Sequence, residues 1–140
     1  MGYVLDTNVV VAAMRSPSGA SAELLRLARQ GKVTPLANVA LALEYEATCR
    51  LAEHCLAAGL DLHEVGVFVD GVLAMMEPVE THFMWRPQLR DPAGELVLDA
   101  AVNGQAAAIV TFNRRDFGVA PARFGIEVLT PAEAIRRIET

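Results

Sequence analysis

Short apolar runs that stop abruptly at polar residues recur along this chain, and stretches with apolar residues at helical spacing separate them. That alternation limits the possible folds more than any other feature. Tyr3-Val4-Leu5 ends at Asp6-Thr7-Asn8, the form of a buried strand feeding a turn and a helix start. Val33–Leu36, Val79–His82, Ala107–Thr111 and Glu127–Leu129 are further strand candidates. Helices are expected over Val9–Met14 and Ala22–Arg29, with Ser16-Pro17-Ser18-Gly19 as the break between them and Gly31 as a stop. A long helix, Val39–Ala58, is capped by Asn38 and closed by Gly59, and Asp61 caps the next, Leu62–Met76. Asp91-Pro92 opens another helix, and Thr130-Pro131 caps a last one reaching Ile138. Strands alternating with helices argue for an α/β fold with a parallel sheet covered on both sides.

Two helices carry further information. The one opened by Asp91-Pro92 has Glu95 in its first turn, an apolar face of Leu96, Leu98 and Val102, and Gly104 at its end. Leu62–Met76 is apolar around most of its circumference, so it is either central to the core or part of a subunit interface. A homodimer is expected from it.

A length of 140 residues fits one domain, 1–140, with no room for two good cores. Folding at that length buries roughly 70% of the unfolded surface, enough for stability without disulfides or structural metal. The hydrophobic fraction is 53%, yet Glu, Asp or Arg interrupts every apolar stretch before it can span a bilayer. Met1–Leu5 runs straight into Asp6 with no basic lead-in, unlike a signal peptide, so a cytoplasmic protein without membrane contact is expected. Cys49 and Cys55 lie six apart on what reads as one helix, so they point to different faces and fit neither a disulfide nor a zinc site. His54, His63 and His82 are scattered without a ligand pattern.

The net charge of −5 does not advertise a nucleic-acid binder. Lys32 is the only lysine, however, and arginines cluster late, at Arg86, Arg90, Arg114, Arg115, Arg123, Arg136 and Arg137. An acidic protein can still present a basic rim around an acidic pocket, so global charge decides little.

In open parallel α/β sheets, ligands bind beyond the carboxyl ends of the strands. Leu5 runs into Asp6-Thr7-Asn8 and Val110 into Thr111-Phe112-Asn113; if those strands are neighbours, Asp6 and Asn113 face one crevice. Glu44 and Glu95, in or near first turns, add to it. Converging carboxylates repel one another unless a cation is present, and hard oxygen ligands suit magnesium or manganese. Such a site activates water and stabilises the leaving oxygen of a phosphodiester. Each residue also has a plainer reading: Asp6 as a helix cap, Glu44 and Glu46 on a solvated face, Glu95 favouring the helix dipole, Asn113 as a turn residue. A phosphatase with a nucleophilic aspartate is a more distant possibility; it wants an acid two residues after the first, where Asn8 stands.

Order and spacing lift these residues above their separate readings. Val4-Leu5-Asp6-Thr7-Asn8-Val9, Leu41-Ala42-Leu43-Glu44-Tyr45, the stretch Arg90-Asp91-Pro92-Ala93-Gly94-Glu95-Leu96-Val97-Leu98-Asp99-Ala100-Ala101 and Ala108-Ile109-Val110-Thr111-Phe112-Asn113-Arg114-Arg115-Asp116-Phe117 together resemble the PIN-domain family, in particular the VapC-like ribonuclease toxins of bacterial toxin–antitoxin modules. The resemblance implies a three-layer α/β/α fold with a mostly parallel sheet, and an acidic pocket that binds Mg2+ or Mn2+ and hydrolyses RNA. It puts the family's first aspartate on Asp6 and its helix glutamate on Glu44, with Asn8 or Thr111 orienting ligands. The third acid belongs to the Asp91–Glu95 helix start: Glu95 takes the family spacing back from Thr111, and Asp91 matches the Asp-Pro start of the subgroup.

Two positions depart from the pattern. Gly94 stands where many relatives carry an acid, and Asn113 stands in place of the fourth family acid, with Asp116 three residues beyond. The site is therefore expected to be one carboxylate poorer, with weaker metal affinity and either slower catalysis or substitution by Asp116. The resulting expectation is a metal-dependent endoribonuclease toxin held by an antitoxin protein. Asp6, Glu44 and Glu95 do the chemistry, while Asp6, Asp91, Glu95 and Asn113 hold the ion. Arg86, Arg90, Arg114 and Arg115 are candidates for RNA phosphate contacts or, equally, a solvated basic rim. The rival expectation is a catalytically weak PIN-fold module that works by binding RNA or protein.

Overall fold

β1 (Gly2–Leu5) is the middle strand of a five-stranded sheet, in a computed structural model that describes residues 1–82, 89 and 92–140. Its neighbours are β2 (Thr34–Ala37) and β4 (Ala108–Val110), with β3 (Glu77–Pro78) outside β2 and β5 (Glu127–Leu129) outside β4. All four pairings are parallel. Tyr3, Val4 and Leu5 of β1 and Ala108, Ile109 and Val110 of β4 are all buried. Successive strand residues point to opposite faces, so this uniform burial means that helices cover both faces of the sheet, in three α/β/α layers.

The helices are α1 (Thr7–Arg15), α2 (Ala20–Arg29), α3 (Val39–Cys49), α4 (Ala52–Ala58), α5 (Leu62–Ala74), α6 (Pro92–Asn103), α7 (Ala120–Arg123) and α8 (Pro131–Glu139). Their starts follow local chemistry. The Asn38 side chain accepts from the Leu41 N–H at 2.8 Å, and Asp61 and Thr130 each form a reciprocal capping box with the glutamate three residues on. Gly59 closes α4 in the left-handed conformation at φ 70°, which a side chain would disfavour. Among the described residues no helix is long and apolar enough to cross a membrane.

Three expectations are corrected. The long helix Val39–Ala58 is two, because Leu51 is extended (ψ 136°) and restarts the chain as α4 against α1. No Gly or Pro marks the break, so tertiary packing sets it. Cys49 and Cys55 consequently do not share a helix: the Cys55 thiol lies 3.5 Å from the Cys49 carbonyl. The strand expected at Val79–His82 is instead Glu77–Pro78, since β2 ends where Asn38 turns away to cap α3 and leaves nothing for later residues to pair with. On α6, the buried arc is Gly94, Val97, Leu98, Ala100 and Ala101, while Leu96 and Val102 are half-buried. The small residues on that arc let the helix lie close against β1, β2 and β4. α7, with Pro121 in its first turn, had no counterpart in the sequence reading.

Candidate functional site

The strand order reverses at β1. The chain moves outward through β2 to β3, then returns to β4 on the other side. The crevice beyond β1 and β4 is therefore the switch point where open α/β sheets bind ligands. Leu5 pairs with Val110, so Asp6 and Thr111 emerge side by side.

Asp6 occupies the N-cap position of α1, yet its side chain makes no capping hydrogen bond. Its Oδ2 instead accepts the Thr111 hydroxyl at 2.7 Å. Thr111 is wholly buried, and its Oγ1 in turn accepts the Asn113 N–H at 3.0 Å. The order of donors is thus fixed, from Asn113 N–H to the Thr111 hydroxyl to the Asp6 carboxylate. The Asp6 N–H donates to the Val110 carbonyl at 2.8 Å, which locks the backbone at the strand ends. Below, the buried Tyr45 hydroxyl donates to the Leu5 carbonyl and anchors α3 under the end of β1. Burial first, and then the charge of Asp6, pushes the Tyr45 phenol well above its ordinary range.

A cavity of about 600 Å³ opens over this bonded set. Asp6, Asn8, Glu44, Asn113 and Asp116 line it, as do Thr7, Arg15, Thr48 and His54. Glu44 is in the second turn of α3, and its Oε1 accepts the Thr48 hydroxyl at 3.3 Å. Asn8 turns its Oδ1 toward the Phe112 N–H at 3.5 Å, across from α1 to the segment after β4.

The other expected residues fare differently. Glu95 does not line the cavity; it lies half-buried in the first turn of α6, where its Oε1 accepts the Leu89 N–H. The helix reaches the cavity through Ala93 instead. Arg114 is ion-paired with Glu133 at 3.1 Å, and neither it nor the exposed Arg115 lines the cavity. Asp91, Arg86 and Arg90 lie outside the described residues.

Sequence reasoning passed over Arg15, Thr48 and His54. Two of them had a legible signal. Asn8, Ala12 and Arg15 repeat at helical spacing along one face of α1, and Thr48 is one turn beyond Glu44. His54 had none, because its arrival depends on the break between α3 and α4. Asp99 was also passed over. One of its oxygens is buried without a hydrogen-bond partner among the described residues, and burial, then the nearby Glu95 charge, holds its carboxyl above the usual range.

The donors around the cavity are hard oxygens: three carboxylates and two side-chain amides. Thr7 also lines the cavity, and its buried hydroxyl has no hydrogen-bond partner among the described residues. This set fits a magnesium-like ion in donor type. Among the described residues, no three His, Cys, Asp or Glu stand close enough together to form a ready-made cage.

A parallel α/β sheet with carboxylates gathered at its switch point defines a class of proteins that act on ligands held beyond the strand ends. Within that class, the chain matches the PIN domain over residues 2–115 and belongs to that family. The matched span contains both bonded strand ends and stops one residue short of Asp116. PIN domains are generally nucleases and typically use divalent metal ions. No curated protein and no solved structure matches the chain.

Proposed function

We propose that the protein is a metal-dependent endoribonuclease and the toxin of a toxin–antitoxin pair. The observation that carries the nuclease reading is the hydrogen bond from Thr111 to Asp6. It draws a strand-end aspartate away from capping its helix and holds it at the rim of an oxygen-lined cavity. Asp6 would hold Mg2+ or Mn2+ with Asn113 and Asp116 of the same cavity; the family resemblance adds Asp91 and Glu95, the latter on release of the Leu89 N–H. The bound ion would supply a more acidic water and charge stabilisation at the phosphodiester. The chain's own residues supply the rest: Thr111 fixes which Asp6 oxygen accepts, and Glu44, oriented by Thr48, is the group available to take a proton from the attacking water. The toxin role and the antitoxin partner rest on the resemblance of the sequence motifs to VapC-like toxins, and the exposed apolar residues of α5 support a homodimer.

The test compares the chain with Asp6→Asn, in Mg2+ or Mn2+ and with EDTA. Metal-dependent RNA cleavage is expected from the first and none from the second, and expression of the first alone is expected to arrest bacterial growth. A second reading is favoured by Asn113, by Gly94 and by the absence of a closed acidic cluster among the described residues: a catalytically weak module that binds RNA or protein. A calorimetric Mg2+ titration with no heat of binding, together with no cleavage, would select it.

A further inference from the structure

Arg15 stands in the last turn of α1, on the wall of the cavity that also holds Asp6, Glu44 and Asp116. Among the described lining residues it is the one permanent cation. An arginine among three acids ordinarily pairs with one of them. Arg15 does not: no carboxylate of the described residues lies within ion-pairing distance of it. By contrast Arg26, Arg50, Arg114 and Arg137 are each paired with a glutamate.

What holds Arg15 is an imidazole. Its Nη1 lies 3.2 Å from Nδ1 of His54. A guanidinium only donates, so Nδ1 is the acceptor in this contact. Nε2 faces Glu53 Oε1 at 3.8 Å, and the ring is largely buried, with 16% of its side chain exposed. The break between α3 and α4 is what brings this ring to the cavity. An imidazole seat, with no carboxylate of the described residues in ion-pairing reach of the guanidinium, directs it without a paired negative charge. Such a group suits a phosphate, which takes paired N–H donors and needs an uncompensated positive charge beside the acids.

We propose that Arg15, positioned by His54, contacts a backbone phosphate of single-stranded RNA in the cavity. The proposal rests on the ribonuclease reading above and names the residue that holds its substrate. His54 is a positioning residue and does not touch the RNA.

The experiment measures binding of a short fluorescein-labelled single-stranded RNA by anisotropy over a range of salt, in the Asp6→Asn background so that the strand stays intact. Arg15→Ala is expected to weaken binding about tenfold and to flatten the slope of log affinity against log salt by about 0.7, the loss of one phosphate contact. Arg15→Lys should keep the slope, because the charge stays, while losing part of the affinity. His54→Ala should weaken binding without changing the slope, and should add nothing on top of Arg15→Ala. Wild-type affinity and slope in an Arg15→Ala chain with an unchanged melting temperature would overturn the contact. So would an Arg15 effect on DNA of the same sequence with none on RNA. The ribonuclease reading fails separately, if the unaltered chain neither cuts nor binds RNA; cleavage by that chain with normal Arg15→Ala binding overturns Arg15 alone.

Discussion

Thr111 shows how much one hydroxyl can organise. It is fully buried, it accepts from one neighbour and donates to another, and both partners belong to the cavity wall. Thr111→Val keeps the shape and removes both bonds, leaving a carboxylate oxygen and an N–H without this partner. Stability is expected to fall by about 1–3 kcal/mol in urea denaturation. Cleavage is expected to fall about 10–100-fold, the usual effect of removing a group that orients a ligand. Thr111→Ser, which retains the hydroxyl, should recover most of the cleavage, and if it does not, the bond to Asp6 is not what matters at this position. Taken apart from the other motifs, Asp6 suited a cap and a ligand equally, because both uses need an aspartate just after a strand. The bond from Thr111, 105 residues away, accompanies a side chain that does not cap α1.

At the scale of elements, legibility followed how local the determinants are. Helix starts were readable wherever a side chain caps its own backbone, as at Asn38, Asp61 and Thr130. β1 and β4 were readable because a fully buried strand is a plain apolar run. The division of α3 from α4 was not, since no residue in it breaks helices and the turn comes from packing against α1. The cavity inherits the same split: Asp6, Glu44 and Asn113 follow strand ends and spacing, whereas His54 arrives through that unsignalled turn. α5 carries its own prediction. It buries Val65, Val69 and Val72 but leaves Leu62 and Val67 more than half exposed. If α5 is the dimer surface, light scattering at micromolar concentration should give twice the chain mass, and Val67→Glu should give the monomer. A monomeric unaltered chain would rule the dimer out.

Over the whole molecule, the buried ionisable groups make stability depend on alkaline pH. Burial, with a smaller push from Cys55, raises the Cys49 thiol from its ordinary 9.0 to about 11, and Tyr45 is raised well above 10.0. Both groups keep their protons in the folded chain at a pH where the unfolded chain has lost them. Their contribution is therefore complete below about pH 9 and drains away as pH climbs through the raised folded values. Denaturation midpoints should fall through that window, and Cys49→Ala should remove the earlier part of the decline. A flat profile for the unaltered chain would contradict the burial of both groups.

The outer strand β3 has one more consequence. It is two residues long, both are exposed, one is charged, and the other, Pro78, has no N–H to offer. A sheet margin of this kind gives a second molecule almost no ladder to extend, so this side of the sheet cannot template end-to-end stacking into filaments. A chain rich in valine, leucine and alanine thereby keeps one margin of its parallel sheet closed to its own copies, even at the concentrations reached when it is made in quantity.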